Sequence, residues 1–185
     1  AFLWLHPRHA ARAMPTVWGW LGHARPFDFA PGYVPAEGIA RFLCGTAGVL
    51  ATAALEEGVR TLLASEAHGG MAAIRAKSLA LTRLFMDLVE ARCAGHGLTV
   101  VTPREEARRG SQVCRSRAEG GYAIVQALIA RGVVGDFRAP DILRFGITPL
   151  YTRYVEIWDA VEALRAVLES GAWREPRFAR RGLVT

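Results

Sequence analysis

One threonine is placed where a side-chain hydroxyl could bind an anion. Thr46 lies in the run Cys44-Gly45-Thr46-Ala47-Gly48, directly before a stretch with helical periodicity. Glycines allow backbone N–H groups to face outward, and the positive N-terminal end of a helix favours a bound phosphate. The alternative is that Thr46 is an ordinary N-cap residue of that helix. No lysine follows Gly48, so the run is not a P-loop.

A tryptophan flanked by glycines forms a second candidate. The run Gly19-Trp20-Leu21-Gly22-His23 combines an indole, an apolar side chain and an imidazole with points where the backbone can bend sharply. The Trp20 ring offers a stacking surface and one N–H donor to a flat ligand. The alternative is a buried core tryptophan beside a surface histidine.

An arginine within an apolar strand pattern is the third candidate. Arg144 stands in Ile142-Leu143-Arg144-Phe145-Gly146-Ile147. A guanidinium among hydrophobic residues is costly unless it meets an anion, and its fork matches a carboxylate. Arg144 is therefore either a receptor for a substrate carboxylate or a strand residue that reaches solvent or pairs with Asp141.

The sequence has no motif for a metal site or for a nucleophilic serine. The five histidines are too dispersed for a metal site, and no serine occupies a nucleophile elbow. Lys77 is the only lysine, and its position within a helical pattern predicts a solvated side chain. Three widely spaced cysteines favour reduced thiols and a cytoplasmic protein.

Composition limits the class of protein. The chain has 185 residues, of which 51% are hydrophobic and 22% charged, enough for one large or two small globular domains. No apolar run reaches the ~20 residues of a membrane-spanning helix. The net charge of +6 comes from arginines scattered among acidic residues, so we expect neither nucleic acid nor membrane as a partner.

Elements that would position these candidates follow from periodicity and glycine breaks. A buried strand at 1–5 precedes an irregular, proline-rich segment whose aromatic residues predict contact with an apolar surface. Helices are expected at 49–65, 71–94, 122–131 and 151–170, and strands at 98–102, 111–114, 133–134 and 142–147. From residue 70 onward this order predicts an α+β layer, with helices on one face of a small sheet.

Several motifs together resemble the C-terminal part of kynureninase, a pyridoxal-phosphate enzyme of the aspartate aminotransferase-like fold. They are spread in the family's order over nearly the whole chain. The matching runs are AFLWLHP at 1–7, GWLGH at 19–23, RFLCGT at 41–46, RGSQV at 109–113, RGVVGD at 131–136, and 144–151.

The resemblance implies an activity and roles for four residues. Kynureninases hydrolyse L-kynurenine or 3-hydroxykynurenine to an anthranilate and L-alanine in tryptophan catabolism, on the path to NAD, with pyridoxal 5'-phosphate as electron sink. By resemblance, Trp20 and Thr46 bind the cofactor phosphate across the interface of a cytoplasmic homodimer. Leu21 lines the substrate pocket, and Arg144 holds the substrate α-carboxylate.

The resemblance also implies a domain organisation. Residues 1–47 correspond to the end of the cofactor-binding large domain, 48–69 to a connecting helix and 70–185 to the small α+β domain. The family's Schiff-base lysine and the acidic partner of the pyridine nitrogen lie upstream of the matched residues, so we expect this fragment to be inactive alone and assign no catalytic residue. The alternative is a non-catalytic binding or dimerisation module that retains the fold.

Overall fold

The computed structural model describes residues 2–180, which fall into two compact units. The first unit ends at Ala64 and the second begins at Ser65. Almost all regular structure of the first unit is helical or turn, whereas the second combines helices with a sheet.

Proline density shapes the first unit, as expected. Its elements are helix α1 Pro7–Ala10, 3-10 turns Trp20–Gly22, Pro26–Asp28 and Gly38–Phe42, and helix α2 Val49–Leu63. Pro7 and Pro26 each stand at the start of an element, where a missing N–H costs nothing. Among residues 2–64 only Gly22 is buried, so this unit has no apolar core of its own.

The expected buried strand at 1–5 is wrong for the described residues 2–5. They have no strand partner, and the Phe2 side chain is 76% exposed. An extended segment becomes a strand only when a neighbour pairs with its N–H and C=O groups, and the described part of the first unit supplies none here. Ala1 lies outside the described residues.

The second unit is a small α+β domain. Its helices are α3 Gly70–Arg92, α4 Gly121–Ile129, α5 Tyr154–Ser170 and α6 Pro176–Ala179, and its strands are β1 Thr99–Val100, β2 Gln112–Ser116, β3 Asp136–Arg138 and β4 Ile142–Gly146. All strand pairs are antiparallel, in the order β1-β2-β4-β3. The prediction of helices beside a small sheet is confirmed.

Alternation along the strands gives the sheet one helix-covered face. Val113 on β2 is opposite Phe145 on β4, and both are buried. The Phe145 ring lies 5.1 Å from that of Phe85 on α3. Arg115 points to the same face, where it donates to the Met86 carbonyl at 2.8 Å, and desolvation lowers its pKa.

One expected strand and one expected helix start in the second unit are wrong. The strand expected at 133–134 is absent, and β3 forms instead at Asp136–Arg138, because only there does the chain pair with β4. The last helix begins at Tyr154 rather than 151, and Arg153 and Glu156 cap it. Its end at Gly171, in the left-handed conformation, is as expected.

Candidate functional site

Two glycines bring the Trp20 segment against the segment that leads to Thr46. A Cβ at Gly19 would lie 1.6 Å from the Cys44 carbonyl oxygen, and one at Gly22 would lie 2.5 Å from the Arg41 carbonyl oxygen. No larger residue fits either position without displacing backbone. The two cofactor-site predictions in the first unit therefore lie on segments packed backbone to backbone.

Hydrogen bonds hold the turn that carries Trp20. The Gly22 carbonyl accepts from the Tyr33 hydroxyl at 2.9 Å and from the Ala36 N–H at 2.8 Å. Arg41 then donates to the Ala36 carbonyl at 3.1 Å and to the Ala13 carbonyl at 3.2 Å. Sequence reasoning assigned no role to Tyr33 or Arg41, although Arg41 opens one of the recognised motifs.

Trp20 lines a cavity of about 310 Å³ together with His23, Phe29, Tyr33 and neighbouring residues. Its side chain is 48% exposed, so the alternative of a buried core tryptophan is wrong. The His23 Nδ1 accepts from the Arg25 N–H at 2.9 Å. Among the described residues the buried His23 Nε2 has no hydrogen-bond partner. The cavity thus combines aromatic walls with an imidazole nitrogen.

Thr46 is exposed and does not cap α2. The residue preceding the helix is Gly48, which has no side chain to cap it, so the N-cap alternative for Thr46 is wrong. Within residues 2–180, neither the Thr46 hydroxyl nor the Trp20 indole N–H has a hydrogen-bond partner. Two unused donors on adjacent segments suit a phosphate, which accepts hydrogen bonds through its oxygens. Leu21 beside them is half-buried.

Arg144 lies on the sheet face opposite the helices, in the second unit. Its neighbours along β4, Leu143 and Phe145, are buried against the core, whereas the Arg144 side chain is 32% exposed. The guanidinium pairs with the Asp136 carboxylate on β3. The alternative partner Asp141 is therefore wrong, because Asp136 and not Asp141 is directly opposite Arg144 in the strand register.

The structure also shows where the single lysine lies, whether metal ligands are grouped and whether any helix could span a membrane. Lys77 lies within α3 and is half-buried, so its side chain is less solvated than the sequence predicts. In the described part of the chain no three histidine, cysteine or acidic residues are grouped to hold a metal. No helix of residues 2–180 combines the length and hydropathy needed to span a bilayer.

The fold of the second unit points to a class of protein. A small antiparallel sheet with helices on one face is consistent with the C-terminal domain of pyridoxal-phosphate enzymes of the aspartate aminotransferase-like fold. Residues 74–164 match the model of the Kynureninase C-terminal domain family. The recognition of this family from the sequence motifs is confirmed.

Individual relatives extend the similarity over the whole chain. The chain is 51% identical to kynureninases of Burkholderia mallei and Burkholderia pseudomallei over all 185 residues, and 49% identical to one from Pseudomonas fluorescens. In each comparison the whole chain is covered, and it spans 43% of the relative's length.

Proposed function

We propose that this chain is the C-terminal part of a pyridoxal-phosphate-dependent kynureninase. Such an enzyme hydrolyses L-kynurenine or 3-hydroxykynurenine to an anthranilate and L-alanine, in the cytoplasm and as a homodimer with shared active sites. The similarity to kynureninases at 51% identity over all 185 residues is the observation that carries this proposal. The match includes both motifs that hold the unused donors.

Phosphate binding is the role proposed for the first unit. The Trp20 N–H and the Thr46 hydroxyl would donate to the phosphate oxygens, and the Gly19 contact with Cys44 would keep their segments together. Leu21 would provide apolar surface to the substrate. When bound, pyridoxal phosphate supplies an electron sink that makes cleavage of the substrate's Cβ–Cγ bond possible.

Substrate binding is the role proposed for the second unit. The Arg144 guanidinium would bind the α-carboxylate of kynurenine through two parallel N–H···O bonds, which determine both position and orientation. Lys77 has no part in this proposal. The lysine that anchors the cofactor and the acidic partner of its ring nitrogen would come from the portion of the relatives that this chain does not span.

Two substitutions in the complete gene product test the assignment. We expect Arg144→Ala to raise KM for kynurenine about a hundredfold, because a charged bidentate contact is lost, and to leave cofactor content nearly unchanged. Trp20→Phe keeps an aromatic ring but removes the N–H, so it should lower cofactor affinity instead. Anthranilate formation and the visible absorption of bound cofactor provide the two measurements.

Contrary results would be informative. Equal loss of cofactor and substrate binding in both variants would contradict the separate roles of Trp20 and Arg144. A complete gene product that binds neither pyridoxal phosphate nor kynurenine would favour the alternative of a non-catalytic binding or dimerisation module.

A further inference from the structure

Three side chains form a row across the exposed face of the sheet. Arg144 on β4 is directly opposite Cys114 on β2 and Asp136 on β3. The alternation of the strands sends their neighbours Val113, Leu143 and Phe137 to the helix-covered face, where all three are buried. Arg144 therefore has an acidic residue beside it on the same face of the sheet.

The contact between Asp136 and Arg144 restricts the guanidinium. Arg144 donates through Nη2 to Asp136 Oδ2. The same carboxylate oxygen lies 3.1 Å from the Arg138 guanidinium. Side-chain exposure is only 25% for Asp136 and 32% for Arg144, so both lose part of their hydration and much of their freedom to rotate.

Geometry leaves part of the Arg144 guanidinium available. This group has five N–H donors in one plane, and the Asp136 contact uses Nη2. Within residues 2–180 the Nε and Nη1 atoms of Arg144 have no hydrogen-bond partner. A planar group held through one nitrogen presents its other donors in a defined direction, which lowers the entropy lost when an anion binds.

The charges support the same conclusion. Arg138 and Arg144 place two positive charges next to the Asp136 carboxylate. An unpaired pair of arginines would repel each other and would disorder the guanidinium that must receive the ligand. Asp136 neutralises one of the two charges without occupying the exposed donors of Arg144.

We propose that Asp136 is a positioning residue, which orients the Arg144 guanidinium to receive the α-carboxylate of an amino-acid substrate. This inference rests on the proposed function, because it assumes that Arg144 is the carboxylate receptor. It adds a second residue to that receptor, located on a different strand.

The test compares two competitive inhibitors of the complete gene product with cofactor bound, measured by calorimetry. One is an unreactive kynurenine analogue with a free α-carboxylate, and the other is the same compound with that group as a primary amide. We expect Asp136→Asn to lower the affinity for the carboxylate inhibitor about tenfold and the affinity for the amide inhibitor much less. KM for kynurenine should rise by a similar factor while kcat and cofactor content change little.

Matched variants exclude a general loss of structure. Asp141→Asn makes the same chemical change a few residues away, at a side chain not paired with Arg144, and should not distinguish the two inhibitors. Asp136→Glu keeps the charge and should restore part of the affinity. Because Asp136 and Arg144 act as one unit, adding Asp136→Asn to Arg144→Ala should cause almost no further loss of affinity for the carboxylate inhibitor.

Two results would overturn the inference in different ways. In the first, Arg144→Ala weakens binding of the carboxylate inhibitor more than binding of the amide, while Asp136→Asn changes the affinity for both equally or for neither. In that case Arg144 is the receptor and the positioning role of Asp136 is wrong. If Arg144→Ala itself fails to distinguish them, the carboxylate role of Arg144 is wrong, and the role of Asp136 falls with it.

Discussion

The two units of this chain differ in whether they bury their apolar side chains. Among the described residues, every buried hydrophobic side chain lies between Leu81 and Phe178, in the second unit. The first unit exposes large apolar side chains, among them those of Phe2, Trp18, Phe29 and Leu50. A hydrophobic composition therefore does not ensure a core, since the residues must also recur on one face of elements that can meet.

The chain spans 43% of the length of the kynureninases that it matches, so more than half of each relative lies outside the match. Contiguous exposed patches in proteins usually mark an interface. We propose that the parts of a complete kynureninase not spanned by these residues cover this surface. The second unit, in contrast, contains the core that it needs for its own stability.

The largest effect is expected from separating the two units. Residues 65–185 expressed alone should unfold in one cooperative thermal transition, because they contain the core. Residues 1–64 alone should show no cooperative transition, because only Gly22 among their described residues is buried. Circular dichroism during heating measures both. A sharp transition in residues 1–64 would contradict the proposed dependence of the first unit on additional chain.

A matched pair of leucine truncations sharpens the comparison. Leu143 on β4 is fully buried, whereas Leu50 on α2 is 87% exposed. Leu143→Ala should lower the free energy of unfolding by about 2–5 kcal/mol, and Leu50→Ala should change it by less than about 0.5 kcal/mol. Urea denaturation of the 185-residue chain provides the values. Similar losses in the two variants would show that α2 packs against a core.

Two glycines test the packing inside the first unit. Gly19→Ala places a Cβ against the Cys44 carbonyl and should destabilise this unit by about 1–3 kcal/mol. Gly45→Ala is the control, because nothing lies within 4 Å of its added Cβ. Cofactor retention by the complete gene product should fall only with Gly19→Ala. Loss of cofactor in both variants would indicate that flexibility at Gly45, rather than close contact at Gly19, matters.

The smallest expected effect concerns pH. Burial raises the pKa of Cys93 to about 11, from its ordinary value of 9.0. The folded thiol therefore keeps its proton where the unfolded thiol loses it, and stability declines as pH rises from about 9 toward 11. Urea denaturation over this range should show a shallower decline for Cys93→Ala. Identical slopes would mean that the thiol ionises as readily in the folded state.

Local sequence signals predicted the second unit best where periodicity was long. The predicted extents of helix α3 and strand β4 are close to those observed, and α5 differs only at its start, since apolar residues repeat over several turns or alternate clearly along the strand. The strand predicted at 133–134 precedes the observed β3, because two adjacent valines have high β-propensity but no partner strand. Tertiary pairing with β4 decides which short segment becomes a strand.

Candidate site residues were found only where a motif surrounded them. Trp20 and Arg144 stand out because an indole between glycines and a cation among hydrophobic residues are unusual. Asp136 ends the matching run at 131–136, but nothing in that run assigns it a role, since an acidic residue after glycine is common in turns. The proposed positioning role of Asp136 depends on its being opposite Arg144 in the strand register. This relation joins two strands, so no local stretch of sequence contains it.

The amino-acid sequence by itself determined the family, the α+β character of the second unit and the residue types available to bind a phosphate and a carboxylate. These depend on composition, periodicity and short motifs, all of which are local along the chain. Only the tertiary structure decided that Gly19 contacts the Cys44 backbone and that Asp136, not Asp141, holds Arg144. Contacts of this kind join residues distant in sequence, and they form because packing and strand register, rather than neighbouring residues, select the partner.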